Sequence, residues 1–187
     1  GTGGAAGVQL GASVTADEGI TFQNGSNIAL TDNVVLDTDD GGGANVTLEA
    51  VDADLAANNH SLQIIAGTGI VDVQGHVGAN QAVESLTVTS STTTDLQNVT
   101  TRDGGLAVTA TTINLDGATL RTDDEEGTSG NAGNVTLTGN VVLNSSVSIL
   151  TDVTAADGNV TITGTVNADT NTADRVFSIT AGGGNID

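Results

Sequence analysis

Aliphatic and polar residues alternate with a period of two through most of the chain. The clearest runs are Val46-Thr47-Leu48, Leu86-Thr87-Val88-Thr89, Ala107-Val108-Thr109, Val135-Thr136-Leu137-Thr138 and Val160-Thr161-Ile162-Thr163. Each is short, rich in Val, Ile and Thr, and bounded by Gly, Asn or Asp. A pleated strand with one buried face needs this spacing, because successive side chains point to opposite sides. Helical spacing is confined to Ala50–Ala57 (AVDADLAA), which is short and uncapped. The pattern therefore predicts an all-β chain made of short strands.

The strands repeat. Asn134-Val135-Thr136-Leu137-Thr138-Gly139 returns 25 residues later as Asn159-Val160-Thr161-Ile162-Thr163-Gly164, and Leu86-Thr87-Val88-Thr89 returns 20 residues later as Leu106-Ala107-Val108-Thr109. One strand-bearing unit every 20–25 residues suits a coil of a parallel β-helix, or β-solenoid. A longer period lies over it. Ile20 matches Val135, Ile64 matches Ile179, Gly67 matches Gly182 and Asp72 matches Asp187, all 115 residues apart. We expect residues 1–187 to form one continuous solenoid segment, with a long-period unit at 20–134 and a partial second copy at 135–187. The rival all-β architecture is a pair of tandem β-sandwich domains, each about one long period in length.

Composition favours the solenoid. Only 37% of residues are hydrophobic, and apart from two Phe they are Val, Ile, Leu and Ala; Trp, Tyr and Pro are absent. A narrow core stacked coil by coil is filled by such aliphatic residues. Proline would remove a ladder donor, and the 26 Gly supply turns.

Charge narrows the function classes. Three basic residues face 23 acidic ones, a formal net charge of −20. That repels phosphate backbones and anionic lipid, so neither a nucleic-acid partner nor membrane association is expected. No apolar run reaches the roughly 20 residues of a membrane helix, so no membrane insertion is expected. With no Cys there is no disulfide framework and no thiolate metal site. The chain begins at Gly1 and carries no recognisable signal peptide, which reads as a mature or excised piece of something longer.

The runs Gly67-Thr68-Gly69-Ile70-Val71-Asp72-Val73, Val77-Gly78, Ser85-Leu86-Thr87-Val88 and Gly133-Asn134-Val135-Thr136-Leu137-Thr138-Gly139, with its variant at 158–164, resemble the "beta strand repeat" segments of very large bacterial surface and secreted proteins. Filamentous-haemagglutinin-like adhesins and autotransporter passengers belong to that group. The resemblance implies a parallel β-helix, an extracellular or cell-surface location, and a stalk or adhesive rod that is not an enzyme. The partners it implies are copies of the chain itself, in tandem or stacked end to end, and host or surface glycans.

Candidate chemistry is sparse. Lys is absent, and the basic residues are Arg102, Arg121 and Arg175. His60 and His76 sit in polar turns without a motif that would make either a catalytic base. Acidic pairs could serve a glycoside hydrolase of β-helical type, which needs two carboxylates at a set spacing, but 23 acids supply such pairs by chance. A calcium- or carbohydrate-binding module is the nearer alternative. Hard cations take several oxygens from flexible loops, and two Gly-bounded acidic loops are candidates for Ca²⁺: Asp37, Asp39 and Asp40, then Asp123, Asp124, Glu125 and Glu126. No other cofactor is expected. Gly182-Gly183-Gly184-Asn185-Ile186-Asp187 partly matches the glycine-rich Ca²⁺ nonapeptide. Asn-x-Ser/Thr triplets at Asn24, Asn45, Asn59, Asn98, Asn134, Asn144 and Asn159 fit glycosylation acceptors, but Asn at a turn before a Val-Thr strand creates such triplets automatically. The Thr-x-Thr pairs at 87/89, 136/138 and 161/163 would share one outward face, as on ice-binding solenoids. The expected column breaks at Ala107 and Glu49, so strand propensity accounts for it.

Overall fold

The structure is a computed structural model describing residues 7–23, 25, 27–55, 60–89, 91–122, 131–153, 156–170, 172 and 174–187. Within them the chain is all-β, and every strand pairs in parallel. It winds through three columns in turn. The first coil places β1 (Val8–Leu10), β2 (Val14–Thr15) and β3 (Ile20–Phe22) in the first, second and third columns; the next two coils repeat this with β4 (Ile28–Leu30), β5 (Val34–Asp37), β6 (Val46–Leu48), and then β7 (Val51–Ala53), β8 (Leu62–Ile65), β9 (Ile70–Val73). Val77 alone holds the next first-column position, bridging Val51 below and Val99 above. β10 (Val83–Thr89) and β11 (Thr93–Leu96) complete that coil.

Higher up, strands run through corners that the sequence pattern read as breaks. β12 (Val99–Leu115) crosses all three columns, and after β13 (Thr119–Arg121) β14 (Val135–Leu143) crosses two. β15 (Val147–Leu150), β16 (Val160–Thr163), β17 (Val166–Ala168) and β18 (Phe177–Thr180) close the described ladder. The protein is thus a β-solenoid, and the tandem-sandwich alternative, which needs antiparallel pairing, is overturned. Of the stretch with helical spacing, the described residues 50–55 contribute a strand, β7, and no helix.

Coils are less uniform than the expected 20–25 residues. Register partners Asp95 and Asn114 are 19 residues apart, whereas Ser148 and Ser178 are 30 apart. The difference is absorbed at the corners, because a ladder fixes the strands and tolerates extra residues only between them. The 115-residue offset has a geometric counterpart. Ile20 lies in the third column and Val135 in the second, and Ile64 in the second and Ile179 in the first. Each match moves back one column, so the offset is four turns plus two columns. A fractional repeat is tolerated because each column asks the strand for the same alternation.

The core is one stack of aliphatic residues. In the second column Leu36, Ile64, Val88, Val108 and Leu137 lie over one another, with exposures of 0 or 1%. Polar side chains inside it are mostly matched: Ser91 Oγ and Thr94 Oγ1 lie 2.7 Å apart, and Thr151 Oγ1 donates to the Gly158 carbonyl at 2.7 Å. Among the buried threonines Thr101 differs, for its Oγ1 has no partner among the described residues and it stacks on Val83. An unmatched buried hydroxyl costs free energy, whereas a matched one becomes costly only when cut. Thr101→Val is therefore expected to raise stability by about 1 kcal/mol, and Thr151→Val to lower it by about 1–3 kcal/mol. Thermal melts of the two variants against the parent chain check the opposite signs.

Candidate functional site

The polar chemistry concentrates at the corners. Three of them share one device. The hydroxyls of Thr38, Thr122 and Thr151 are fully buried and donate back to the carbonyls of Ala44, Gly133 and Gly158 at 2.6, 2.6 and 2.7 Å. Each carbonyl precedes an Asn-Val pair that starts the next strand. The Asn then pins the coil above it: Asn45 Oδ1 accepts from the Ile70 N–H, Asn134 Oδ1 from Asn159, and Asn159 Oδ1 from Asn185. Asn98 accepts from Ala118 and Thr119 in the same way. The Asn-Val-Thr triplets thus have a structural use. The sequence signal for it, a Thr-Asp step before a loop that ends in Asn-Val, is visible at Thr38, Thr122 and Thr151.

Asp37, Asp39 and Asp40 lie at the corner between the second and third columns. Asp37 Oδ1 accepts the Asp39 N–H at 3.0 Å, and Asp39 lies against Gly67 of the next coil, where any Cβ would meet its carboxylate. Asp40 is exposed. Asp123, Asp124, Glu125 and Glu126 lie outside the described residues. Among the described residues no three His, Cys, Asp or Glu side chains converge as a metal site would require. At the Gly182–Gly184 corner the carboxylates come from the coil below. Asp157 accepts from the Gly183 and Val153 N–H groups at 2.6 and 2.9 Å, which holds its carboxyl below the ordinary value. His60 Nε2 lies 3.4 Å from Asp54, and His76 Nε2 lies 3.2 Å from Asn98 Nδ2 on an exposed corner.

Two acidic positions escaped the sequence reading. Asp52 is 7% exposed, yet it is fully used, taking the Asn80 N–H and Nδ2 at 2.8 Å each and the Gln81 N–H at 3.3 Å. Asp95 points outward from the third column, in register with Asp72 below and Asn114 above. Burial raises its pKa, Asn114 Nδ2 opposes the rise, and Asp116 and Asp72 add to it. Glu84 is raised chiefly by burial and then by Asp103, against Arg102 and the Gly104 N–H. An acid with a raised folded pKa binds its proton more readily folded than unfolded, so it favours folding at low pH and loses that contribution as pH rises through the folded value. Asp157 and Asp169, the latter lowered by its bond to Arg175, act in the opposite sense once pH falls below the ordinary carboxylate value of 3.8. Stability is therefore expected to rise from pH 7 down to about pH 4–5 and to fall below roughly pH 3.5. Asp95→Asn should raise the urea midpoint at pH 7 and flatten that gain; an unchanged pH profile would contradict the assignment.

Two grooves among the described residues flank the second column. One groove is lined by Asn33, Val34, Val35, Ser61, Leu62, Gln63, Ser85 and Thr87. The other is lined by Ser91, Thr109, Ala110, Thr111, Thr138, Gly139 and Thr163. Neither lining contains an acid, a base or an imidazole, so neither groove can carry out proton transfer or nucleophilic attack with its own side chains. No protein-family model, curated protein or solved structure matches the chain.

Proposed function

We infer that the chain is a non-enzymatic rod segment of a long extracellular bacterial protein, of the adhesin type that its repeats resemble. Its work is to project from, or assemble at, the cell surface. The observation that supports this reading is the parallel ladder of the described residues, with column after column of the same aliphatic stack and the polar groups gathered at the corners. A solenoid of this kind is lengthened simply by adding coils, since each coil touches only its neighbours. Tandem copies and copies stacked end to end both extend it. The acidic surface keeps neighbouring rods apart by repulsion. Immunogold electron microscopy on the source cells, with an antibody to this chain, should label the outside of the envelope. Labelling confined to the cytoplasm would overturn the reading.

A further inference from the structure

The outer face of the second column has a regularity that a rod does not require. From β8 upwards its outward positions are Gln63 and Ile65, Thr87 and Thr89, Ala107 and Thr109, Thr136 and Thr138, then Thr161 and Thr163. No charged side chain occupies any of them, on a chain of net charge −20. The two grooves bordering this face are equally uncharged. Register aligns the threonines in two rows. Thr87 stacks on Ala107, Ala107 on Thr136 and Thr136 on Thr161, while Thr109 stacks on Thr138 and Thr138 on Thr163. Thr89 extends the second row, since it follows Val88, the partner of Val108.

One of the two expected breaks is absent. Glu49 continues β6 in the third column, where its N–H donates to the Phe22 carbonyl of the coil below, so it never reaches this face. Ala107 alone interrupts the rows, and it omits a hydroxyl without adding charge or bulk.

The ladder sets the spacing. Neighbours in a row are about 4.8 Å apart, and the rows lie about 6.6 Å apart, two residues along the strand. Threonine is stiff about χ1, so each copy on a regular strand presents its hydroxyl and methyl alike. Water bonds to the hydroxyl and is ordered without a bond over the methyl. Repeated at fixed spacing in two directions, these groups impose a lattice on the first water layer. Charged groups would pull that water out of a lattice, and the outward positions from β8 upwards carry none; the nearest charge in these rows is Asp37 of β5, in register below Ile65. A sugar partner would gain from an aromatic platform, which this face lacks; the two Phe, Phe22 and Phe177, belong to the third and first columns. A neutral, flat array of hydroxyls and methyls suits a partner that is itself a crystal of water.

We propose that the second-column face from β10 to β16 binds ice. The test is ice recrystallisation inhibition by the full chain, with partition into a slowly grown ice hemisphere. The wild-type chain should keep ice grains small and enter the ice. Thr138→Lys, at the centre of the array, should abolish both effects. Thr47→Lys, on the outer face of the third column, should leave them intact. Ala107→Thr completes the first row and should strengthen inhibition, a gain that a misfolded variant cannot produce. Melting curves identify any variant that fails to fold. Ice grains that coarsen as they do with serum albumin would overturn the proposal, as would equal loss in the Thr138 and Thr47 variants. Retention on crystalline neutral polysaccharide without any effect on ice would also overturn it.

Discussion

Gly43→Ala is expected to destabilise the chain by about 3–5 kcal/mol, while Gly41→Ala two residues earlier costs about 1–2 kcal/mol. The two glycines share one corner loop and one backbone class, with φ of +120° at Gly41 and +97° at Gly43. Both positions penalise an L side chain through the backbone alone. They differ in what lies beyond. A Cβ at Gly41 meets nothing within 4 Å, whereas one at Gly43 overlaps the Thr68 amide nitrogen and the Ala66 carbonyl oxygen of the next coil. Those atoms belong to a backbone that is itself fixed. The Thr68 N–H donates to the Gly42 carbonyl at 3.3 Å, and the Gly69 N–H donates to Ala66 at 2.7 Å. Relief would have to push one coil off another and stretch the ladder on both sides. Urea denaturation of the two variants separates the terms. Equal losses would mean that backbone conformation alone matters and that coil-to-coil packing at this corner contributes little.

How far the sequence discloses the fold differs between strands and corners. Alternation is a local property, so Val46-Thr47-Leu48 or Val135-Thr136-Leu137-Thr138 announces a strand without any knowledge of its neighbours. The turn-rich composition and the 20- and 25-residue offsets then lead to stacking. Which column a strand occupies is not local. Glu49 and Thr47 follow one another closely, and the same Thr-x-Thr pattern could have placed either beside Thr87; only the register assigns Thr47 to the third column and Thr87 to the second. For the same reason the long repeat looks like a unit that should superpose on itself, while in three dimensions it shifts by one column. The local bonding of the acids is equally hidden: Asp37 Oδ1 accepts the Asp39 N–H of its own corner, and Asp157 accepts from Val153 in its own coil and from Gly183 in the coil above. Asp52 attracted no notice because nothing in Val51-Asp52-Ala53 reveals that Asn80 and Gln81 will meet it from another coil.

Leu137→Ala should lower stability by about 2–5 kcal/mol, and the loss should be confined to part of the rod. Leu137 is fully buried in the second column, with Val108 below it and Ile162 above. Cutting it to Ala opens a void that neither neighbour can fill, because both are held by backbone bonds to their own strands. Ile179 in β18 offers the contrast: it is half-buried and stacks on Ile149. Ile179→Ala gives up less buried area at a more accessible rung, and about 1 kcal/mol is expected. The distribution of the loss carries the architectural content. In a sandwich every core residue supports one cooperative unit, so a cavity weakens protection everywhere. In a solenoid each coil leans on the coils above and below, and a defect at Leu137 separates the β5–β10 stack from the β16–β18 stack. Hydrogen exchange followed by mass spectrometry should show faster exchange in β12, β14 and β16, with β5 and β8 keeping their protection. Uniform acceleration from β1 to β18 would mean that the rod melts as a single body, and a chain of that kind could not be lengthened coil by coil without changing the stability of every coil it already has.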